Sequence, residues 1–354
     1  MTEATEMNIT NTICKQVVQE SMDHLFSIIR NDGRFIYAHI LGNPKKILPG
    51  YNLLRHCGTA WFMLKAANRL NLELRDEDLS RLVSAVSFII DLLRRPAWSA
   101  GLVPTLCLPE GEKVKMGGAG LCLLMLNEFK LFSDRHGIDF KSNNDGLPAK
   151  IITTRLKNHM LSEIVDGDFH HIRSYSTGRL LPFTSDYYTG QALFGLIQAD
   201  EARDACGKLL SQLIDRSVGI SEHAHWMAYA AAEAIRMGLP GTERTLQYLD
   251  QLIGRMVAES EYRDRRQSTP IACHSEAFLV FLEARNRAGA PTCDVDEDLP
   301  ASVQKALFDN LELQFSWYRN GQFAEGDGSN KVQIDMIQHN AASFLGVLLL
   351  EFPR

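Results

Sequence analysis

The chain has 354 residues, 45% hydrophobic and 23% charged, with 37 Lys plus Arg against 43 Asp plus Glu and a formal net charge of -6. That composition suits a globular protein with an extensive core and excludes a disordered chain, while mild acidity without a dense basic stripe argues against a nucleic-acid groove. The acidic start Met1-Thr-Glu-Ala-Thr-Glu-Met-Asn8 does not read as a signal peptide and no stretch is long enough to span a bilayer, so a cytoplasmic protein without a membrane partner is expected.

Along the chain two kinds of helix alternate. Segments near residues 11–30, 79–94, 147–164, 200–216, 243–260 and 301–318 are one-sided. In the second of these, Leu79, Leu82, Val83, Val86, Ile89, Ile90 and Leu93 recur at helical spacing, with Ser80, Arg81, Ser84, Asp91 and Arg94 between them. Each one-sided segment is followed by a Gly- or Pro-punctuated connection and then a helix that is apolar nearly all round. The six starts are Tyr51-Asn-Leu-Leu-Arg-His56-Cys-Gly-Thr-Ala-Trp61, Met116-Gly-Gly-Ala-Gly-Leu-Cys-Leu-Leu-Met125, Tyr187-Tyr-Thr-Gly-Gln-Ala-Leu-Phe-Gly195, Glu222-His-Ala-His-Trp-Met-Ala-Tyr229, Cys273-His-Ser-Glu-Ala-Phe-Leu279 and Asp335-Met-Ile-Gln-His-Asn-Ala-Ala-Ser-Phe344.

A helix that is apolar on all sides must be surrounded by protein, whereas one with a polar face can meet solvent. The alternation therefore predicts an all-α (α/α)6 barrel, an inner ring wrapped by an outer ring, as one domain over 1–354 with 1–10 flexible. Gly117, Gly118 and Gly120 would let the second inner helix approach its neighbours, at a helix-propensity cost of about 1 kcal/mol each. Three connections read as short β-hairpins: 33–39, 167–173 with 180–183, and 321–325 with 331–334. Long connections at one end of a barrel build a variable rim, so the site is expected where the inner helices begin.

The polar residues at those starts supply the candidate chemistry. Arg55 and His56, beside Tyr51 and Asn52, could bind a carboxylate through a charge-assisted fork and move a proton; equally, they could be a loop tie and a hydrogen-bonded core histidine. Lys113 and Lys115 precede the second inner helix, where they could steer an anion or simply be solvated. Tyr187, Tyr188 and Gln191 suit sugar stacking or proton donation, against ordinary packing. Glu222, His223, His225 and Trp226 form the densest polar knot. Glu222 and His225 share a helix face at i,i+3, while both histidines face one cavity only if the helix begins between them. Cys273, His274 and Glu276 follow. Finally, Asp335 and His339 at i,i+4 could form an oriented general base with Gln338 nearby, or Asp335 could only cap its helix.

Other signals fail. The seven cysteines, at 14, 57, 107, 122, 206, 273 and 293, are odd in number, sit mostly in apolar text and read as reduced and buried. Asp294, Asp296 and Asp298 imitate an EF-hand loop, but Leu299 takes its Gly position and Lys305 its bidentate Glu position. Phosphate-loop, dinucleotide, zincin and nucleophile-elbow motifs are missing.

At these residues the chain resembles the six-hairpin (α/α)6 toroids, which include glycoside hydrolases, polysaccharide lyases, sugar 2-epimerases and the catalytic domain of glucuronyl C5-epimerases. Tyr51-Asn-Leu-Leu-Arg-His56, Glu222-His-Ala-His-Trp226 and Asp335-Met-Ile-Gln-His339 look most like bacterial proteins of the C5-epimerase-like group. The lanthionine synthetase C-like cyclases are a close architectural cousin that holds zinc partly through an adjacent Cys-His pair. By that resemblance Cys273, His274, His223 and His225 would be the zinc ligands, although His223-Ala-His225-Trp226 stands where those enzymes carry a Trp-Cys-x-Gly thiolate.

The resemblance implies an enzyme acting on a saccharide or related anionic small molecule, with epimerisation, elimination and hydrolysis all open. His225, His339, Arg55, Glu222 and Asp335 are the catalytic candidates. Tyr51, Asn52, His56, Tyr187, Tyr188, Gln191, Trp226, His274, Glu276 and Gln338 are candidates for substrate binding. On a uronate, Arg55 would neutralise the carboxylate while His225 and His339, or a tyrosine, move the adjacent proton; hydrolysis would draw on Glu222, Glu276 and Asp335. No cofactor is expected on this reading, zinc stays open on the cyclase reading, and a non-catalytic toroid binding a glycan or protein partner is the third alternative. A homo-oligomer is also left open.

Overall fold

The computed structural model describes residues 9–99, 103–143, 146–200, 202–289 and 299–350. Cys293, the Asp294–Asp298 run and residues 1–8 of the segment expected to be flexible lie outside that range. Residues 9 and 10 do not belong to a loose end: Ile9 is buried, and the Thr10 hydroxyl caps the first helix by accepting from Ile13 N at 3.3 Å.

The outer helices are α1 (Asn11–Ser27), α3 (Asp76–Ile90), α5 (Ala149–Ser162), α7 (Arg203–Asp215), α9 (Thr242–Ala258) and α11 (Leu299–Ser316). Between them run the inner helices α2 (Leu53–Arg69), α4 (Met116–His136), α6 (Tyr188–Gln198), α8 (His225–Arg236), α10 (Ser268–Ala288) and α12 (Ile334–Leu349). Each inner helix packs against the next, and α12 packs back on α2, so the inner ring closes. The fold is an (α/α)6 toroid.

Sequence chemistry explains the ring. Every residue from Met116 to Leu126 in α4 is buried, whereas α3 buries one stripe, Asp78, Leu82, Ala85, Val86, Ile89 and Ile90. Glycines set the spacing. A Cβ on Gly120 would lie 2.5 Å from the Gln191 carbonyl oxygen of α6, and one on Gly190 would lie 2.6 Å from the Trp226 carbonyl carbon of α8. Only glycine allows those backbones to meet. Gly137 and Gly289 end α4 and α10 in left-handed conformation, φ 64° and 56°.

The strands at the rim are β1 (Ala38–Ile40), β2 (Asn43–Ile47), β3 (Pro109–Glu110), β4 (Lys113–Lys115), β5 (Ile164–Val165), β6 (Asp168–Phe169), β7 (Ile172–Ser174), β8 (Tyr318–Arg319), β9 (Gln322–Phe323) and β10 (Lys331–Gln333). Short antiparallel hairpins do occur at the rim, but not in the expected pairings. The local pairs are β1–β2, β3–β4, β5–β6 and β8–β9. Residues 331–333 pair as β10 with β1, 172–174 pair as β7 with β4, Arg173 meets Leu180 only in an isolated bridge and Phe35 bridges Ile29, because each later strand finds its open edge on a hairpin of another connection. The pairing Ala38↔Gln333, His39↔Val332 and Ile40↔Lys331 joins the first connection to the last, on the same side as the starts of α2 and α12. No helix among the described residues is long and apolar enough to cross a membrane.

Candidate active site

The starts of the inner helices surround a cavity of about 630 Å³. Arg55, Tyr187, Gln191, Glu222, His223, His225, Trp226, Cys273, His274, Asp335, Gln338 and His339 all line it, and all six connections lead to this end of the barrel. The two histidines of His223-Ala-His225 both reach the wall because α8 begins at His225, with His223 one step outside in left-handed conformation at φ 51°. His223 Nε2 is 3.1 Å from a Glu259 carboxylate oxygen.

Two imidazoles meet at the floor. The rings of His225 and His339 cross edge to face with centroids 5.6 Å apart. His225 is buried, its Nε2 has no hydrogen-bond partner, and Tyr187 and Trp226 flank it at 5.9 and 5.0 Å. Burial first, then His339 and His274, hold the His225 pKa well below the usual histidine value. His339 is the opposite case. Burial alone would lower its pKa, but Cys273 and the Glu276 carboxylate outweigh it and hold the pKa well above the ordinary value. Its Nδ1 donates to Glu276 Oε1 at 2.6 Å, and Glu276, 1% exposed, accepts from the Tyr229 hydroxyl at 2.6 Å through its other oxygen. Near neutral pH this leaves a neutral imidazole beside an imidazolium.

This corrects the expected pairing. Asp335 does not orient His339; it lies 2.9 Å from Arg55 Nε and accepts from Gln333 Nε2 at 2.7 Å. Arg55 also donates to the Tyr37 hydroxyl at 2.6 Å, so its charge is compensated and its reach fixed. At i,i+4 Asp335 and His339 do share a helix face, but a carboxylate from the adjacent inner helix lies closer. Glu276 itself does not line the cavity. It stands behind His339 as a positioning group.

Four more candidates lie away from the wall. His56 is fully buried: its Nδ1 accepts from the Tyr51 hydroxyl at 2.7 Å and its Nε2 donates to the Ala85 carbonyl at 2.9 Å, with its pKa pushed down to about 4 by burial. The Tyr51 hydroxyl is consumed by that bond and by Phe35 N at 3.2 Å. Asn52 caps α2, its side-chain oxygen accepting from Arg55 N at 3.0 Å. Tyr188 packs over Gly117 and between His171 and Phe183, with ring centroids 5.8 and 6.0 Å away. Of the lysines before α4, Lys115 pairs with Glu110, and neither lysine lines the cavity.

The start of α10 was also displaced. That helix begins at Ser268, so Cys273 and His274 sit in its second turn and Glu276 in its third rather than opening it. The cavity wall there comes from the α9–α10 connection, with Glu259, Glu261, Tyr262 and Arg265, and from Thr269 and Pro270 in the first turn of α10. The connection's signal was the charged run Ser260-Glu-Tyr-Arg-Asp-Arg-Arg-Gln267, which is too polar to be helix interior. Tyr229, tying down Glu276, was missed because it lies inside an apolar helix.

For a metal, the ring nitrogens of His225 and His339 and Cys273 Sγ lie within 4.8 Å of one another. These are zinc-type ligands, and Glu276 behind His339 is the carboxylate that commonly orients a ligating histidine. His223 and His274 do not join them. His274 Nδ1 donates to the Pro270 carbonyl at 2.8 Å and its ring stacks on Tyr262 at 3.7 Å, while His223 faces Glu259.

No family model matches the chain, and no curated protein matches it. Solved structures do. A D-mannose isomerase superimposes with a TM-score of 0.68 at 10% identity over 96% of this chain and 98% of its own. A sugar epimerase from a ruminal bacterium gives 0.63 at 13% identity, over 96% and 99%. The GH76A α-1,6-mannanase of Salegentibacter sp. HEL1_6 gives 0.64 at 11% identity, over 96% and 100%. The chain thus shares the (α/α)6 toroid of glycan-active proteins.

Proposed function

We propose that the cavity isomerises or epimerises a reducing sugar by proton transfer beside its carbonyl group. The observation that carries this reading is the pair of adjacent histidines whose surroundings drive their pKa values apart. Neutral His225 offers the free Nε2 as base for the C–H proton next to the carbonyl. The His339 imidazolium, held by Glu276, donates to the carbonyl oxygen, so electrons leaving the C–H bond end on an oxygen that gains a proton. For isomerisation His225 then returns its proton to the neighbouring carbon while the now neutral His339 takes the proton of the other enediol oxygen, which becomes the new carbonyl. In epimerisation the enediol turns over, His225 reprotonates the same carbon from the other face and His339 recovers the proton it gave. All six inner helices begin at this end, and their positive dipole ends favour the negative charge that builds on the oxygen before the proton arrives.

The settings of the five carboxylates that bear on hydrolysis favour proton transfer instead. Glu222, which among the described residues accepts only from Ser221 Oγ at 2.6 Å, and Glu261 are exposed at the rim, without the buried surroundings an acid's role needs, and the other three are engaged. Asp335 is held by Arg55 and Gln333, Glu276 by His339 and Tyr229, and Glu259 by His223 and Arg255. Arg55 compensated by Asp335 also favours a neutral sugar over a uronate. The likeness to a D-mannose isomerase and a sugar epimerase supports the same substrate class. The test is a panel of free hexoses, hexuronates and oligomannosides followed by NMR. Interconversion of a free sugar, lost in His225→Ala and His339→Ala with helicity intact, is expected; wild-type turnover in both variants would overturn the assignment.

The cluster of His225, Cys273 and His339 favours one other reading, in which these residues would hold zinc, which would supply Lewis-acid polarisation of a substrate oxygen. Metal analysis of protein purified without chelator decides it. Stoichiometric zinc lost together in Cys273→Ser and His339→Ala supports that reading, and substoichiometric metal refutes it.

A further inference from the structure

The barrel has a second hollow at its other end, where the inner helices finish, about 280 Å³ in volume. Its polar wall carries Lys65 and Arg69 of α2, Arg236 and Glu233 of α8, and Arg287 and Glu283 of α10. Two of these cations are already satisfied: Arg236 donates to both Glu233 oxygens at 2.7 and 2.6 Å, and Arg287 donates to Glu283 at 3.2 Å. Among the described residues, neither Lys65 nor Arg69 has a carboxylate within ion-pair distance. The two are one turn apart and both face the hollow.

Cations in the last turn of a helix answer its dipole, and that accounts for Arg69 and Arg236. It does not account for Lys65, which lies a turn deeper and touches no helix-end carbonyl. Its ammonium sits over the rings of Trp61 at 5.0 Å and Tyr229 at 5.6 Å. Burial pulls its pKa below the usual lysine value despite the more distant Glu128, Glu276 and Glu283. A partly buried cation resting on two aromatic faces, with an open hollow in front of it, lacks a counter-ion that a ligand could supply.

We propose that this hollow binds a small organic oxyanion, a phosphate monoester or a carboxylate, with its charge on Lys65 and Arg69 and its carbon body against Trp61 and Leu279. Volume limits the ligand: cavities for drug-sized molecules run from about 300 Å³ upward, so this one suits a few-carbon acid rather than a nucleotide. The ligand would lie against Tyr229, whose hydroxyl holds Glu276, and so back to back with His339.

The experiment is calorimetric titration of the full chain with inorganic phosphate, glycerol 3-phosphate and benzoate, with glycerol as the neutral control. One-site saturation by at least one anion is expected, the tighter of the last two anions telling phosphate from carboxylate. Replacing either cation removes one charge-assisted contact, so Lys65→Met and Arg69→Gln should each weaken binding on the order of tenfold. Arg265→Gln, on the rim of the catalytic cavity, should leave it unchanged. Arg69 is exposed, so its variant carries the test even if Lys65→Met folds poorly. The proposal is overturned if none of the three anions saturates, if binding survives in the Lys65→Met/Arg69→Gln protein, or if Arg265→Gln abolishes it.

Discussion

Replacing Glu276 by Gln keeps the shape of the side chain and removes the carboxylate that, together with Cys273, holds the His339 pKa up. Glu276 is 1% exposed and its two oxygens serve His339 Nδ1 and the Tyr229 hydroxyl, both at 2.6 Å. An amide can still accept from Tyr229 through its oxygen, but its nitrogen then turns donors toward Nδ1, so the neutral ring is preferred. Breaking one half of a buried ion pair costs about 3–5 kcal/mol while the other half stays charged. Because the folded His339 pKa is raised, the stability it contributes is full below the unfolded value of 6.5 and is lost as pH rises through the folded value. Unfolding by urea across a pH series should therefore show Glu276→Gln about 3–5 kcal/mol below wild type at pH near 6, with the gap closing on the alkaline side. NMR of the histidine ring carbons should place His339 titration at lower pH in the variant. A gap that is constant with pH, or His339 titrating unchanged, would refute the assignment of His339 as the acid.

Other consequences follow from packing and protonation. Gly120→Ala puts a Cβ 2.5 Å from the Gln191 carbonyl oxygen and 2.7 Å from Ala192 N. Overpacking of this kind costs about 1–3 kcal/mol or more, and better helix propensity offsets about 1, so chemical denaturation should show a net loss; a gain would mean the α4–α6 contact is looser than described. His24, His56, His159 and His274 all have folded pKa values pushed down to about 4, chiefly by burial. The unfolded chain binds those protons first, so stability should fall as pH drops from 6.5 toward 4, His56 alone contributing about 2 kcal/mol of the loss by pH 5. Stability flat across that window would contradict the burial of these rings. Since α12 closes the ring on α2, we propose that the chain is one folding unit, giving coincident far-ultraviolet and tryptophan transitions in urea; two separated transitions would refute it.

The helix alternation was legible because burial on all sides and burial on one face leave different residue patterns, as α4 and α3 show. The six starts also named most of the cavity wall, since inner helices must begin at one end. What stayed hidden was partner choice. Nothing in the spacing of Asp335 and His339 reveals that Glu276, 63 residues away, lies closer to the imidazole, or that Arg55 takes Asp335 instead. His56 shows the same limit from the other side: a histidine beside Arg and Tyr reads as chemistry until Ala85, 29 residues on, is seen to satisfy its second nitrogen. The β1–β10 pairing joins the first connection to the last and carries no local signal.

The most direct measurement of the central claim is hydrogen exchange from the substrate in deuterated water. Free hexoses incubated with the protein in D2O should lose the proton signal at the carbon next to the carbonyl, at wild-type rate with native protein and at least about 100-fold slower in His225→Ala. Deuterium incorporation that continues unabated in His225→Ala, or cleavage of an oligomannoside by native protein that exchanges no proton of any free hexose, would contradict a histidine-driven proton transfer in this cavity.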